Sequence, residues 1–246
     1  MTRFGLFNTE AHTIEYVDET YQIGVWLPFS YATSEQRYPV LVVLDGDFAF
    51  GLATGLIPTL IGAQDVPELI VVGVGYRDLA HYGDLGQRRE RDFLPPDFAG
   101  SPPDARTPQF MAFLQQKLFP LIETGYRAST EDRALFGFSA AGFFGLYAAL
   151  TQPGMFRRCV VASCTWPGAD AYLLARVEAA APDPTRVYVA VGEHEADQRP
   201  GFDAVTAALR DHAAITVHTQ VVAGEGHSAG VLANALVHGL RAVFGG

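Results

Sequence analysis

The strongest constraint on this chain is a series of short apolar runs separated by helix-length segments. Tyr38–Leu44 and Leu69–Tyr76 are almost unbroken, and Val187–Val191 is apolar throughout. Unbroken runs suit parallel strands covered on both faces. Leu135–Phe138, Cys159–Ala162 and Ala214–Val221 add further strands. Between them lie segments of helical character. Phe48–Leu60 is one, though Gly51 and Gly55 weaken it. Behind Thr107-Pro108, a cap with proline at the first helical position, Phe110, Phe113, Leu114, Leu118, Leu121 and Ile122 recur at helical spacing. Phe143–Leu150, Asp170–Ala180, Phe202–Leu209 and a last helix through Val231, Leu236 and Val243 complete the series. This βαβα alternation predicts an α/β fold, a three-layer sandwich with a mostly parallel central sheet. Residues 11–28 alternate as two strands and read as an antiparallel edge. The 246 residues suit one domain spanning 1–246, with no repeat or linker. One long irregular stretch, 77–107, is rich in Gly, Pro, Asp and Arg and is expected as a loop at the active edge.

Within this frame, Leu135-Phe136-Gly137-Phe138-Ser139-Ala140-Ala141-Gly142 predicts a strand that turns sharply into a helix with a serine at its apex. A G-x-S tripeptide is common by itself. The strand before it and the small-residue helix after it give it weight. A serine nucleophile needs an imidazole in reach and a third group to orient that ring. Of seven histidines, His227 is the best placed, in the glycine-rich segment Ala223–Ser228 between the last strand and the last helix. The acid is expected after the strand ending at Gly192, where Glu193, Glu195 and Asp197 compete; position favours Glu195. The chain order serine, acid, histidine is that of an α/β-hydrolase.

Charge narrows the alternatives. The formal net charge of -10 speaks against a nucleic-acid groove. The cluster Glu193-His194-Glu195 lacks H-E-x-x-H spacing, so no metal is expected. Asp45-Gly46-Asp47-Phe48 lacks the glycine series of a dinucleotide site, and no organic cofactor is expected. Cys159 and Cys164 lie in or just beyond one strand and read as buried thiols. No run reaches transmembrane length, the first residues lack an apolar signal core, and a cytoplasmic location is the expectation.

The chain resembles the serine esterase family of the α/β-hydrolase superfamily, which includes esterase D-like, feruloyl and siderophore esterases and mycolyltransferases. The marks are Leu44-Asp45-Gly46-Asp47 with Phe50, Val74-Gly75-Tyr76, Arg89–Pro95, Gly137-Phe138-Ser139, Ser163-Cys164-Thr165-Trp166, Gly192–Glu195 and Gly224–Ser228. The resemblance implies Ser139 as nucleophile, Glu195 as acid and His227 as base. It implies an oxyanion hole from the amide of Ala140 and that of Asp47 or Phe48. Glycine is frequent in the family where this chain has Ala141. Arg89, Arg91 and Asp92 are expected either to bind substrate or to fasten the 77–107 stretch. Trp166, Tyr76 and Phe93 are candidate pocket walls.

The expected reaction is hydrolysis of a small to medium acyl or aromatic ester through an acyl-enzyme, without a cofactor. Acyl transfer to another acceptor, siderophore trilactone cleavage and a non-catalytic binding role are the rival readings. A small-molecule ester is the expected partner. An exposed edge strand or apolar patch would allow a homodimer.

Overall fold

A computed structural model describes residues 6–181 and 183–245. Eight strands form one sheet: β1 (Thr9–Tyr16), β2 (Glu19–Trp26), β3 (Tyr38–Leu44), β4 (Ile70–Tyr76), β5 (Ala128–Phe138), β6 (Arg158–Ala162), β7 (Thr185–Gly192) and β8 (Ile215–Val222). Their order is β1-β2-β4-β3-β5-β6-β7-β8. β1 pairs with β2 and β2 with β4 antiparallel, and the other neighbours are parallel. The unbroken runs occupy the interior: all seven residues of β4 are buried. Pro39 has no N–H for the ladder, and the β3–β5 register shifts between Tyr38 and Val40, where the sheet accommodates it.

Helices cover both faces. α1 (Gly46–Gly62) and α8 (Ala229–Phe244) bury Ala53, Ile57 and Leu60 with Val231, Leu236 and Leu240 against one. Against the other lie α3 (Thr107–Phe113), α4 (Phe119–Gly125), α5 (Ala140–Thr151), α6 (Ala169–Ala179) and α7 (Arg199–Asp211), with Phe110, Phe143, Phe144, Leu173 and Val205 in the core. The expected three-layer architecture is therefore present. The helix predicted behind Thr107-Pro108 is interrupted by a π turn over Leu114–Leu118, where the Phe119 amide donates to the Leu114 carbonyl. Pro120 lacks an amide hydrogen and crowds the preceding turn, which accounts for the wider local winding.

The 77–107 stretch departs from expectation. It contains a helix, α2 (Tyr82–Phe93), while 94–106 is built of turns. Asp84 secures the start of α2 by accepting from the amides of Ala80 and His81 at 3.1 and 3.3 Å. One face of α2 is held by charge. Arg88 and Arg91 donate to Glu19 at 2.9 and 2.6 Å, and Asp92 accepts from Arg91 Nε at 2.9 Å and Arg106 Nε at 3.2 Å. The hydroxyls of Tyr21 and Tyr76 also donate to Asp92, at 2.9 and 3.1 Å. An inward face built on paired charges shows no apolar periodicity, so the helix is hidden from a pattern reading.

Candidate active site

β5 runs straight into α5 through Ser139, which adopts φ 58 and ψ -125. Positive φ is unfavourable for a residue with a side chain and persists where the surroundings enforce it. Here the Ser139 amide donates to Ala162 of β6 at 2.9 Å, and the Ser139 carbonyl accepts from Phe143 of α5 at 2.9 Å. Gly137 makes the turn feasible, since a Cβ there would lie 2.3 Å from the Ala141 carbonyl oxygen. Ala141 itself is fully buried in α5. The Ala140 amide belongs to the first turn of α5, where backbone donors lack intrahelical partners.

His227 arrives from the loop between β8 and α8. Ser228 caps α8 by accepting from Gly230 and Val231 and donates its hydroxyl to Glu225 at 2.5 Å. The Phe138 ring packs on the imidazole at 4.6 Å between centroids. His227 Nδ1 lies 2.7 Å from Glu195 Oε1.

Glu195 follows β7 and is only 4% exposed. Its Oε2 accepts from Ser163 Oγ at 2.6 Å and from the Gly192 amide at 2.7 Å, and its Oε1 accepts from Gln198 Nε2 at 2.9 Å. Burial alone would raise its pKa. The hydrogen bonds from His227, Ser163 and Gly192 outweigh that and hold it below the usual carboxylate value. The rivals differ. Glu193 is exposed and binds the Gly224 amide at 2.6 Å, and Asp197 is exposed. Two further side chains were given no role by the sequence reading, Ser163 (buried, φ 52), which stood there only within a family mark, and Gln198, because hydrogen bonding to a carboxylate leaves no spacing signal.

Ser139 and His227 share a cleft of about 290 Å³ with Phe48, Arg89, Phe138, Ser228, Ala229 and Leu232. Arg89 reaches it from α2, donating Nε and one terminal nitrogen to the two oxygens of Asp45 at 2.5 and 2.9 Å. Asp45 sits in left-handed conformation at the N-cap of α1, 2% exposed; burial raises its pKa although Arg89 pulls the other way. Of the two oxyanion candidates on α1, the Phe48 amide donates to Asp45 at 3.1 Å, whereas the Asp47 amide lies one residue earlier in the first turn. The Asp47 carboxylate accepts from the Tyr76 amide at 3.1 Å.

Several expected pocket residues lie elsewhere. Arg91 and Asp92 belong to the ion cluster around Glu19, and Asp92 is fully buried. The Tyr76 hydroxyl donates into that cluster, and Phe93 packs in the core against Phe110 and Phe144. Trp166 is half-buried against Phe143, 5.4 Å between centroids. These positions fasten α2 and the helical layer, and the cleft is lined by other side chains.

The model of a family described as "Putative esterase" matches residues 14–232. The chain belongs to this esterase family. Carboxylic ester hydrolysis is the chemistry of the family. Ferri-bacillibactin esterase BesA of Bacillus subtilis (strain 168) is 29% identical over 178 residues, 65% of this chain and 59% of BesA. In that match the chain spans less than two thirds of BesA's length. The BES protein from Bacillus cereus is similar over 99% of this chain and 97% of its own, with TM-score 0.82 and 24% identity. The siderophore hydrolase EstB from Aspergillus nidulans is similar over 98% of this chain and 96% of its own, with TM-score 0.85 and 20% identity. At those identities the structural likeness bears on the fold. Among the described residues of this esterase, no helix is long and apolar enough to cross a membrane, and no group of three His, Cys, Asp or Glu is arranged to hold a metal.

Proposed function

We propose that this esterase hydrolyses carboxylic esters through an acyl-enzyme on Ser139, with His227 as base and Glu195 as the orienting acid. The observation that carries the reading is the 2.7 Å contact between His227 Nδ1 and a buried carboxylate, on a histidine that shares one cleft with a strained, elbow-borne serine. With Nδ1–H given to Glu195, Nε2 is the free base that takes the Ser139 proton as Oγ attacks the ester carbonyl. The tetrahedral oxyanion would rest on the Ala140 and Asp47 amides, each donor worth about 3 kcal/mol in comparable sites. His227 then protonates the leaving alcohol, activates water and releases the acid.

The cleft volume and its Phe48, Phe138 and Leu232 walls suit a small to medium acyl or aromatic ester. The His227 side chain is 45% exposed, so water reaches the base and favours hydrolysis over acyl transfer. A siderophore ester is the second reading. It is supported by the similarity to BesA and EstB and by the Arg89 guanidinium at the cleft wall.

The test is turnover of p-nitrophenyl acetate, butyrate and octanoate by the wild type and Ser139→Ala, with fluorophosphonate labelling mapped by peptide mass. Turnover lost in a folded Ser139→Ala protein, with the label on Ser139, is the expected result. Equal turnover by both, or a folded wild type that neither turns over nor takes the label, would overturn the assignment.

A further inference from the structure

The carboxylate of Glu195 is shared. His227 Nδ1 and Gln198 Nε2 both reach Oε1, at 2.7 and 2.9 Å, and the two nitrogens are 3.4 Å apart. The orientation of the Gln198 amide is fixed from outside the site. The backbone N–H of Thr165 donates to Gln198 Oε1 at 3.1 Å, which leaves Nε2, a donor, facing Glu195. Thr165 Oγ1 donates in turn to the Gln198 backbone carbonyl at 3.2 Å, and the Gln198 backbone N–H donates to the Glu195 backbone carbonyl at 3.1 Å. Thr165 is 1% and Gln198 5% exposed, so water does not compete for these bonds. Thr165 follows β6 and Gln198 immediately precedes α7, so two elements converge on one carboxylate.

We infer that Gln198 is a positioning residue of this esterase, clamped by Thr165, that holds Glu195 ionised and aimed at His227 and limits how strongly Glu195 draws a proton onto the imidazole. The inference rests on the triad reading above. A carboxylate that gives part of its charge to an amide donor is a weaker partner for imidazolium. Without that donor, Glu195 stabilises protonated His227 more strongly, and the base becomes free only at higher pH. The other charged groups around His227 do not substitute for this control. Arg89 on α2 is engaged by Asp45, Glu225 on the His227 loop accepts from Ser228, and His194 on the Glu195 loop is exposed.

Gln198→Glu is the informative variant. It keeps the size and an acceptor for Thr165 but replaces the donor with a second carboxylate. Gln198→Met removes the donor without adding charge. The acid limb of kcat/KM reports the free-enzyme pKa of the base. It is expected to move to higher pH in the order wild type, Gln198→Met, Gln198→Glu, by about one pH unit in the last. kcat is expected to fall roughly 10-fold, the lower end of what losing a hydrogen-bond partner of a metal-bound histidine costs, with KM little changed. The His227 Nδ1–H proton resonance, followed by NMR against pH, should titrate with the same shift. A residue that only supports the fold would lower thermal stability and leave the acid limb and resonance where they are in the wild type. Coincident acid limbs for all three proteins overturn the inference while leaving the triad intact. If Gln198→Glu does not fold, the same comparison on Gln198→Met decides. Wild type that is not labelled at Ser139 marks the failure of the triad reading instead.

Discussion

Removing Arg89 should expose the energetics of the cleft wall. Arg89→Met keeps the length of the side chain but strips Asp45 of its bidentate partner. Asp45 is 2% and the Arg89 side chain 17% exposed. Breaking a buried pair by deleting one partner costs about 3–5 kcal/mol, because the remaining charge is stranded. The partial exposure of Arg89 puts the expected loss at the lower end, about 3 kcal/mol at pH 7. Burial already raises the Asp45 pKa with Arg89 present, and losing the guanidinium raises it further. A carboxyl whose folded pKa exceeds its unfolded value binds its proton more readily in the folded state. Stability therefore improves as pH falls through the folded pKa, by at most about 1.4 kcal/mol per unit. The deficit of Arg89→Met should thus shrink as pH falls from 8 towards the unfolded carboxylate pKa. Urea unfolding followed by tryptophan fluorescence across that range measures it. The double variant Asp45→Asn, Arg89→Met should recover at least half of the loss, since a neutral amide replaces the stranded charge. Esterase activity should fall in Arg89→Met, because Arg89 lines the cleft and its partner Asp45 occupies the N-cap position of α1, whose first turn carries the Asp47 amide. A loss below about 1 kcal/mol, or a deficit independent of pH, would refute the view that Asp45 is a buried, ionised partner of Arg89.

Three further variants test the same geometry. Gly137→Ala places a methyl carbon 2.3 Å from the Ala141 carbonyl, so the elbow must shift; about 3 kcal/mol of stability and most esterase turnover should be lost, read by thermal melt and p-nitrophenyl butyrate hydrolysis. Glu195→Gln should lower kcat by roughly 10⁴-fold with little change in KM, the scale seen when the orienting acid of a serine triad is neutralised. The Glu195 pKa is depressed in the fold, so its stabilisation is present above the unfolded carboxylate pKa and lost as pH falls through the folded one; the urea midpoints of Glu195→Gln and wild type should converge in acid. Asp92→Ala leaves Arg91 and Arg106 with Glu19 and Asp18 as partners but removes the buried acceptor of both guanidinium Nε groups and of the Tyr21 and Tyr76 hydroxyls; it should destabilise the fold by about 3 kcal/mol, yet leave kcat/KM per folded molecule unchanged, because Asp92 lies in the ion cluster and away from the cleft.

The sheet and the strand-to-helix elbow were legible because each rests on a local pattern, unbroken apolar strands and a small-residue turn, and a glycine-rich loop before the last helix singled out His227 as the candidate base. Position favoured Glu195 over Glu193 and Asp197, but all three follow one strand within five residues, and it is the fold that buries Glu195 beside His227. The arginines show the same limit more sharply. Read as a loop, 77–107 allows Arg89, Arg91 and Asp92 to face one substrate. Read as a helix, it parts Arg89 from Arg91, because residues two apart on a helix do not share a face. Arg88, Arg91 and Asp92, at spacings of three and four, form the face that meets Glu19, Tyr21 and Arg106. Arg89 turns the other way, to Asp45 and the cleft. The missing information was a single secondary-structure assignment, hidden because ion pairs rather than apolar side chains bury that face. Once α2 is in place, helical geometry alone separates the one arginine that borders the Ser139–His227 cleft from the two that anchor its wall.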